Sequence, residues 1–223
     1  MNAYYTEKLA AERLMRCYEI APPRIRQYLE AEIEFCLSKI TPADTVLELG
    51  CGYGRMLQRL IDKAQTVIGI DTSLSSLQLA RKLLRNASAL HLFCMNAIAL
   101  GVADQTCDVV LCIQNGVSAF HVEQRVLLQE AVRVVRPGGK VLFSSYSEKF
   151  WTYRLEWFRL QAAHGLIGEI DEEATGNGVI VGKDGFHATT VSPEDFRTLA
   201  ADAGFPATIV EVDHSSVLCE IQV

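Results

Sequence analysis

The sequence predicts a doubly wound α/β domain in which helices cover both faces of a mostly parallel sheet. Short apolar segments rich in β-branched residues alternate with segments of helical apolar spacing up to Tyr146, and a final pair of strands follows. Segments such as Cys107–Ile113 are almost continuously apolar, which is typical of parallel strands buried on both faces. A glycine-rich turn directly after the first strand completes the pattern.

Composition indicates one globular domain over residues 1–223 and a small-molecule partner. The chain is 49% hydrophobic and 22% charged, close to the average for globular proteins. Its net charge is −6, its pI is near 5.4, and it has no cluster of Lys or Arg. These values argue against binding to nucleic acid or to an anionic membrane surface.

The cysteines predict a reducing environment and no metal site. There are seven, an odd number, with no Cys-x-x-Cys pair, and several lie inside apolar strands. No signal-peptide-like segment follows Met1, and no apolar stretch approaches the ~18 residues of a membrane span. We therefore expect a cytoplasmic protein, as a monomer or a homodimer.

Two helices are predicted ahead of the sheet. Apolar spacing over Thr6–Ile20 indicates the first, with Thr6 as a candidate N-cap, and Ala21-Pro22-Pro23 ends it. A second amphipathic helix begins at Pro23 and ends before Thr41-Pro42. Residues 1–42 thus lie outside the strand–helix repeat.

A cofactor site is predicted at Val46–Leu57. An apolar strand ends abruptly at three alternate glycines, Gly50, Gly52 and Gly54, and Arg55–Lys63 continues at helical spacing. Glycines let a ligand approach bare backbone, and unpaired N–H groups point outward where a helix begins. Open α/β sheets place ligands at this carboxyl edge.

The glycine turn resembles motif I of the class I S-adenosylmethionine (SAM) dependent methyltransferases. That motif reads Glu-x-Gly-x-Gly-x-Gly, with Glu48 as its acid, whereas a dinucleotide fingerprint needs glycine at the position of Arg55. The resemblance implies a Rossmann-like sheet of seven strands with the last antiparallel, SAM as cofactor and S-adenosylhomocysteine as product. The alternative, a sharp turn without a ligand, stays open.

The second and third strands end in polar residues suited to a nucleoside. Thr66–Ile70 is followed by Asp71, about 20 residues past the first glycine, where a carboxylate accepts hydrogen bonds from ribose hydroxyls. Thr72 or Ser73 either contacts the cofactor or caps the helix Leu74–Arg85. The strand Ala89–Met95 ends at Asn96-Ala97, where similar enzymes usually carry Asp-Ala. The amide oxygen of Asn96 can still accept a bond from adenine.

The fourth strand leads into Gln114-Asn115-Gly116, which the resemblance places near the cofactor's methyl group; an Asn-Gly turn is the alternative. A helix over Glu123–Val135 precedes the turn Arg136–Lys140, which resembles the family's Pro-Gly-Gly segment. Val141–Tyr146 is the fifth strand. We therefore assign residues 43–146 to the cofactor-binding core.

The remaining chain is divided into an acceptor-side insertion and a C-terminal unit. Residues 147–191 contain an aromatic-rich helix and a predicted hairpin around Lys183-Asp184-Gly185. Residues 192–223 contain a helix capped by Ser192 and two strands, the second being Ser216–Val223. The resemblance implies that the insertion defines the acceptor and that residues 1–42, led by Tyr4-Tyr5, form a lid.

These arguments give three sets of candidate site residues. The cofactor contacts are Tyr5, Glu48, Leu49, Gly50, Cys51, Gly52, Gly54, Asp71, Thr72, Ser73, Asn96, Ala97, Gln114 and Asn115. The acceptor contacts are Tyr4, Tyr5, Tyr18, Asn115, Phe120, Tyr146, Trp151 and His187. The catalytic candidates are Asn115 and His187, with His187 as a general base and His121 as its substitute, although a solvated hairpin histidine is the simpler interpretation.

The sequence thus predicts a SAM-dependent methyltransferase acting on a small molecule by in-line displacement. An NAD(P)-linked oxidoreductase is the first alternative, and Arg55 disfavours it. A SAM-binding protein without catalysis is the second. A nucleic-acid or protein methyltransferase is the third, although the chain lacks a basic surface.

Overall fold

A computed structural model describes residues 4–223 of the chain. In this range, one seven-stranded sheet has the order β3-β2-β1-β4-β5-β9-β8. Its strands are β1 Thr45–Leu49, β2 Thr66–Asp71, β3 Leu90–Cys94, β4 Cys107–Cys112, β5 Val135–Tyr146, β8 Ala207–Val212 and β9 Ser216–Gln222. The pairs among β1 to β5 are parallel, and β9 is antiparallel to both β5 and β8. The predicted fold, with the last strand antiparallel, is confirmed.

The strand order places a switch point between β1 and β4. From β1 the chain proceeds outward through β2 to β3, and then returns to β4 on the other side of β1. The crossovers leave these two strands in opposite directions, so a crevice opens beyond their carboxyl ends. This crevice positions the candidate site.

Helices cover both faces of the sheet. They are α1 Tyr4–Glu7, α2 Ala11–Glu19, α3 Pro23–Leu37, α4 Leu57–Leu60, α5 Leu74–Leu83, α6 Gly116–Ala119, α7 Gln124–Val134, α8 Trp151–Ala163 and α9 Pro193–Asp202. A short 3-10 turn, Glu148–Phe150, precedes α8. The predicted cap of α9 is present as a capping box between Ser192 and Asp195. In the described part of the chain, no helix is long and apolar enough to cross a membrane.

The predicted helix over Thr6–Ile20 is wrong, because the structure divides it into α1 and α2. Ala11, the first residue of α2, has a positive φ of 49°, and its N–H donates to Ser76 Oγ at 2.9 Å. Thr6 is therefore not an N-cap; its hydroxyl lies 3.0 Å from that of Thr72. A contact to α5, which local spacing does not encode, decides where α2 begins.

Two other boundaries differ from the sequence interpretation. Helix α4 spans four residues instead of Arg55–Lys63, because turns follow the glycine loop up to Met56. Strand β5 begins at Val135 and includes the Pro-Gly-Gly turn. At Gly139 an added Cβ would lie 2.5 Å from the carbonyl oxygen of Asp108, so this close approach of β5 to β4 requires glycine.

A hairpin formed by β6 Ile180–Val181 and β7 His187–Ala188 lies where the sequence predicts one. It packs with α8 and the N-terminal helices in an apolar cluster that includes Tyr28, Trp157 and Phe186. Residues 147–191 are thus joined to the N-terminal helices by buried contacts. Residues 1–3 of the predicted lid lie outside the described residues.

Candidate active site

A cavity of about 380 Å³ opens beyond the carboxyl ends of β1, β2, β3 and β4. Its volume lies within the range of sites for cofactors and small molecules. The predicted residues that line it are Tyr5, Tyr18, Glu48, Gly50, Cys51, Gly52, Asp71, Thr72, Asn96, Ala97, Gln114 and Phe120. Residues from four strand ends therefore meet here, as the parallel sheet requires.

Two of the motif glycines give the cavity its bare backbone wall. Gly50 and Gly52 have positive φ values of 71° and 53°. An added Cβ at Gly50 would lie 2.5 Å from the ring of Phe120, and one at Gly52 would lie 3.2 Å from the side chain of Leu14. A side chain at either position would crowd Phe120 or Leu14, so glycine keeps the backbone bare at this wall of the cavity.

Asp71 fastens the glycine loop to the end of β2. Its Oδ2 accepts a bond from the Gly52 N–H at 2.9 Å, and its Oδ1 accepts one from the Ser73 N–H at 2.7 Å. Burial raises the pKa of Asp71, and these backbone N–H groups oppose the rise. Each carboxylate oxygen has two lone pairs, so both keep capacity for a ligand hydroxyl.

Glu48 and Arg55 face the same cavity with unsatisfied polar atoms. Glu48 Oε2 and the Nε and Nη2 of Arg55 are buried without a hydrogen-bond partner. Burial raises the pKa of Glu48 to about 8, although the positive charge of Arg55 opposes the rise. The Arg55 guanidinium lies over the ring of Tyr18, 4.9 Å from its centroid.

The end of β4 has an unusual backbone that other elements hold in place. Gln114 and Asn115 both adopt left-handed conformations, with φ values of 55° and 62°. The Gln114 N–H donates to Glu32 Oε2 at 3.2 Å, and its Oε1 accepts a bond from the Tyr18 hydroxyl at 3.0 Å. Because Glu32 lies on α3 and Tyr18 on α2, the N-terminal helices fix this end of the cavity.

A family comparison identifies the fold and the domain. Residues 46–139 match the family model described as a methyltransferase domain, and this range contains the glycine loop, Asp71 and the end of β4. This part of the chain, residues 46–139, is a methyltransferase domain. A methyltransferase domain agrees with the prediction of SAM as cofactor from motif I.

Curated methyltransferases are similar in sequence to about half of this chain. The malonyl-[acyl-carrier protein] O-methyltransferase of Marinomonas sp. is 35% identical over 116 residues, which cover 49% of this chain and 40% of that protein. The chain spans less than half the length of the curated relatives that it matches.

Solved structures extend the likeness in fold along the chain. A protein from Pyrococcus horikoshii has a TM-score of 0.65 at 20% identity and covers 100% of this chain and 98% of its own. The N-methyltransferase NodS from Bradyrhizobium japonicum, solved with S-adenosylhomocysteine, has a TM-score of 0.63 at 17% identity, with the same coverage.

The cavity of this methyltransferase domain suits its cofactor. SAM carries a ribose diol, an adenine and a charged amino-acid group. Asp71 offers acceptors for the diol, and Asn96 lies beside it at the end of β3. The glycine backbone leaves room for close approach, and the buried, unpartnered atoms of Glu48 and Arg55 suit a charged group.

Four predicted cofactor residues do not line the cavity, namely Asn115, described below, and three others that each have a structural role. Leu49 is buried in the core under the sheet. At Gly54 an added Cβ would meet Leu84 and Ala80, so this glycine permits close packing of the loop on α5. The Ser73 hydroxyl accepts a bond from the Ser76 N–H and caps α5, which is the alternative role that the sequence left open.

Asn115 is predicted as a catalytic, cofactor and acceptor residue, but its side chain lies outside the cavity lining. Its Oδ1 accepts a bond from the Ser145 hydroxyl at 2.8 Å, and its Nδ2 donates to the Thr189 carbonyl at 2.9 Å. Both ends of the amide are thus used to tie β4 to β5 and to the hairpin segment. A structural role accounts for Asn115.

The predicted acceptor residues are only partly brought together. Tyr5, Tyr18 and Phe120 line the cavity, whereas Tyr146 and Trp151 pack against the guanidinium of buried Arg154. Neither of these last two rings lines the cavity.

The remaining acceptor candidates lie toward the hairpin. The Tyr4 hydroxyl donates to Asp184 Oδ2 at 2.6 Å, outside the cavity lining. His187 is exposed on β7, and its ring centroid lies 6.1 Å from that of His121. The structure therefore does not place the predicted general base among the residues that line the cavity.

The sequence interpretation missed about half of the lining. These residues are Thr6, Leu14, Tyr53, Arg55, Met56, Ile70, Ser76, Met95, Ile113, Gly116, Ala119 and Val122. Arg55 had a signal, because it follows the glycines directly, but the motif comparison used it only to exclude a dinucleotide. Leu14 and Thr6 gave none, since only tertiary packing brings α1 and α2 over the glycine loop.

Proposed function

We propose that this chain transfers the methyl group of SAM to a small-molecule acceptor by in-line displacement. The observation that carries the proposal is the single cavity lining shared by Asp71, Glu48, the bare glycine backbone and an aromatic wall. The names of the relatives support it, since one methylates a malonyl group on a carrier protein and another is an N-methyltransferase.

The aromatic wall supplies what the reaction needs. Tyr5, Tyr18 and Phe120 close the side of the cavity next to the end of β4. The methyl group of SAM is bonded to a sulfonium and needs no further activation, so alignment of acceptor, methyl and sulfur in a dry site supplies most of the rate. Aromatic faces also stabilise a nearby cation.

The lining favours an acceptor that arrives as a nucleophile. Among the described residues that line the cavity, there is no His or Lys. Burial raises the pKa of Tyr5 and of Tyr18, so both hydroxyls stay protonated near neutral pH and donate hydrogen bonds. A carboxylate, a thiolate or an unprotonated amine would react without a base in this cavity.

The decisive experiment combines ligand binding with turnover. We expect S-adenosylhomocysteine to raise the melting temperature and NAD to leave it unchanged. With methyl-labelled SAM and a panel of small carboxylates, thiols and amines, mass spectrometry should detect transfer to at least one acceptor. Stabilisation by NAD would favour an oxidoreductase, and binding without any transfer would favour a non-catalytic SAM-binding protein.

Once an acceptor is known, the roles of the two histidines can be tested. His187 is exposed and neither histidine lines the cavity, so His187→Ala and His121→Ala should each keep the single-turnover rate within about threefold. A rate that falls by about 10²-fold in either variant, together with a lost pH dependence, would restore the general base to the mechanism.

We also propose that residues 4–10, which we call the strap, act as the lid of this site. Tyr5 and Thr6 line the cavity. On one side, Tyr4 and Lys8 bond to Asp184 of the hairpin, the Lys8 Nζ donating to its carbonyl at 2.8 Å. On the other side, the Thr6 hydroxyl lies 3.0 Å from that of Thr72. The strap thus bridges the insertion and the end of β2, and we expect it to move when a ligand binds.

Removing the Tyr4 hydroxyl should loosen the strap. Tyr4→Phe deletes the 2.6 Å bond to Asp184, which is worth on the order of 1–2 kcal/mol, so amide hydrogen exchange over residues 4–19 should accelerate about tenfold. S-adenosylhomocysteine should slow the same amides. Tyr153→Phe, on an exposed ring of α8, is the control. Exchange that neither the variant nor the ligand changes would contradict a lid.

A further inference from the structure

Arg55 is a cation on the cavity wall whose hydrogen-bonding capacity is left unused. Its Nε and Nη2 are buried and have no hydrogen-bond partner. Such donors are costly to bury unless something bonds to them. Because Arg55 also lines the cavity, a ligand can provide what the described residues do not.

Two other arginines differ from Arg55, because neither lines the cavity and each donates to groups within the chain, although Arg154 Nε is also unpartnered. Arg154 is also buried, but its guanidinium donates to the backbone carbonyls of Gly178 and Ala188, which explains it as a structural link. Arg59 lies one turn after Arg55 and pairs with glutamates of α3 at the surface. Each of these two has partners within the chain.

The carboxyl group of Glu48 in the same cavity is also unsatisfied. Glu48 Oε2 is buried without a partner, and the Nε and Nη2 of Arg55 do not bond to it. The positive charge of Arg55 nevertheless acts on both Glu48 and Glu32. A cation and a carboxyl group that do not satisfy each other across one cavity are complementary to a ligand that carries both a carboxylate and an ammonium.

The sheet order shows which end of the cofactor this would be. Asp71 and Asn96, which suit the nucleoside, follow β2 and β3, whereas Glu48 lies in β1 and Arg55 follows it. The nucleoside therefore extends toward β3, and the amino-acid group lies on the side of β1 and β4.

We infer that Arg55 binds the carboxylate of the cofactor's amino-acid group and is a specificity residue against ligands that lack it. The inference rests on the proposed function in taking SAM as the ligand. A planar guanidinium matches a carboxylate with two parallel donors, which a lysine cannot reproduce.

Tyr18 connects this contact to the N-terminal helices. Its ring lies under the Arg55 guanidinium at 4.9 Å from the centroid, and its hydroxyl donates to Gln114 Oε1 at 3.0 Å. A carboxylate that fixes Arg55 therefore also fixes Tyr18 and, with it, α2. Ligands with and without the carboxylate should order α2 to different degrees.

The test compares two ligands that differ only at the amino-acid end. S-adenosylhomocysteine carries the carboxylate, and 5′-methylthioadenosine has the same thioether nucleoside without it. By titration calorimetry, Arg55→Met should weaken binding of the first about 100-fold and of the second less than threefold. Arg55→Lys should recover part of the loss. Arg59→Met, at a surface site one turn away, is the matched control and should change neither affinity.

If Arg55→Met lost equal affinity for the two ligands, or lost affinity for neither, the inference would be overturned. Failure of the unchanged protein to bind S-adenosylhomocysteine would instead overturn the proposed function. If Arg55→Met does not fold, amide hydrogen exchange of α2 in the unchanged protein tests the inference instead. Stronger protection by S-adenosylhomocysteine than by saturating 5′-methylthioadenosine supports the inference, and equal protection overturns it.

Discussion

Asp71→Ala is expected to weaken the binding of S-adenosylhomocysteine by about 100-fold. The proposed contacts to two ribose hydroxyls are charge-assisted hydrogen bonds, together worth on the order of 3 kcal/mol. The structure adds a second reason, because the same carboxylate accepts the N–H groups of Gly52 and Ser73 and so shapes the glycine loop. Loss of the side chain removes both the ligand contact and its support.

Titration calorimetry measures this effect, and two variants help to interpret it. Asp71→Asn keeps an oxygen acceptor without the charge and should fall between Asp71→Ala and the unchanged protein. Asp62→Ala, at an exposed position after α4, is the control. If folded Asp71→Ala bound the ligand within about threefold of the unchanged protein, the assignment of Asp71 to the ribose would be wrong.

Glu32→Gln is expected to stabilise the protein at alkaline pH. Glu32 lies on α3, fully buried, and burial raises its pKa from 4.5 to about 7, although the charge of Arg55 and the Gln114 N–H partly oppose the rise. The folded state therefore holds this proton to higher pH than the unfolded state does. The stability that protonated Glu32 contributes is fully present below its pKa in the unfolded state, and it is lost as the pH rises toward 7.

The size and pH window of this effect follow from the pKa difference. A shift from 4.5 to about 7 corresponds to roughly 3 kcal/mol of unfolding free energy above pH 7. Glutamine keeps an oxygen acceptor for the Gln114 N–H and carries no charge. The variant therefore does not lose this unfolding free energy as the pH rises. Glu48 has a raised pKa in both proteins, so its effect cancels when the unfolding free energies of the variant and the unchanged protein are subtracted.

Urea unfolding at pH 5 and pH 8 tests the prediction. The unfolding free energy of Glu32→Gln should exceed that of the unchanged protein by about 2–3 kcal/mol at pH 8 and by less than about 1 kcal/mol at pH 5. Glu34→Gln changes an exposed glutamate of the same helix and should show no such pH dependence. A constant difference at both pH values would mean that Glu32 titrates near its ordinary pKa in the folded protein.

The sequence by itself determined the sheet and those cavity residues that we propose to bind the cofactor. Apolar strands, the glycine turn and Asp71 are local features, because strand polarity and backbone freedom depend on neighbours in the chain. Parallel pairing then brings every strand's carboxyl end to one edge, so residues at those ends meet without further information.

The tertiary structure alone decided which of the predicted acceptor and catalytic residues line the cavity. Asn115 and His187 stand at suitable places in the sequence, yet the first is bonded to Ser145 and Thr189, and the second lies at the surface of the hairpin. The role that we infer for Arg55 follows from two of its buried nitrogens, which have no hydrogen-bond partner among the described residues. Side-chain direction and the pairing of buried charges depend on elements distant in sequence, so local patterns could not reveal them.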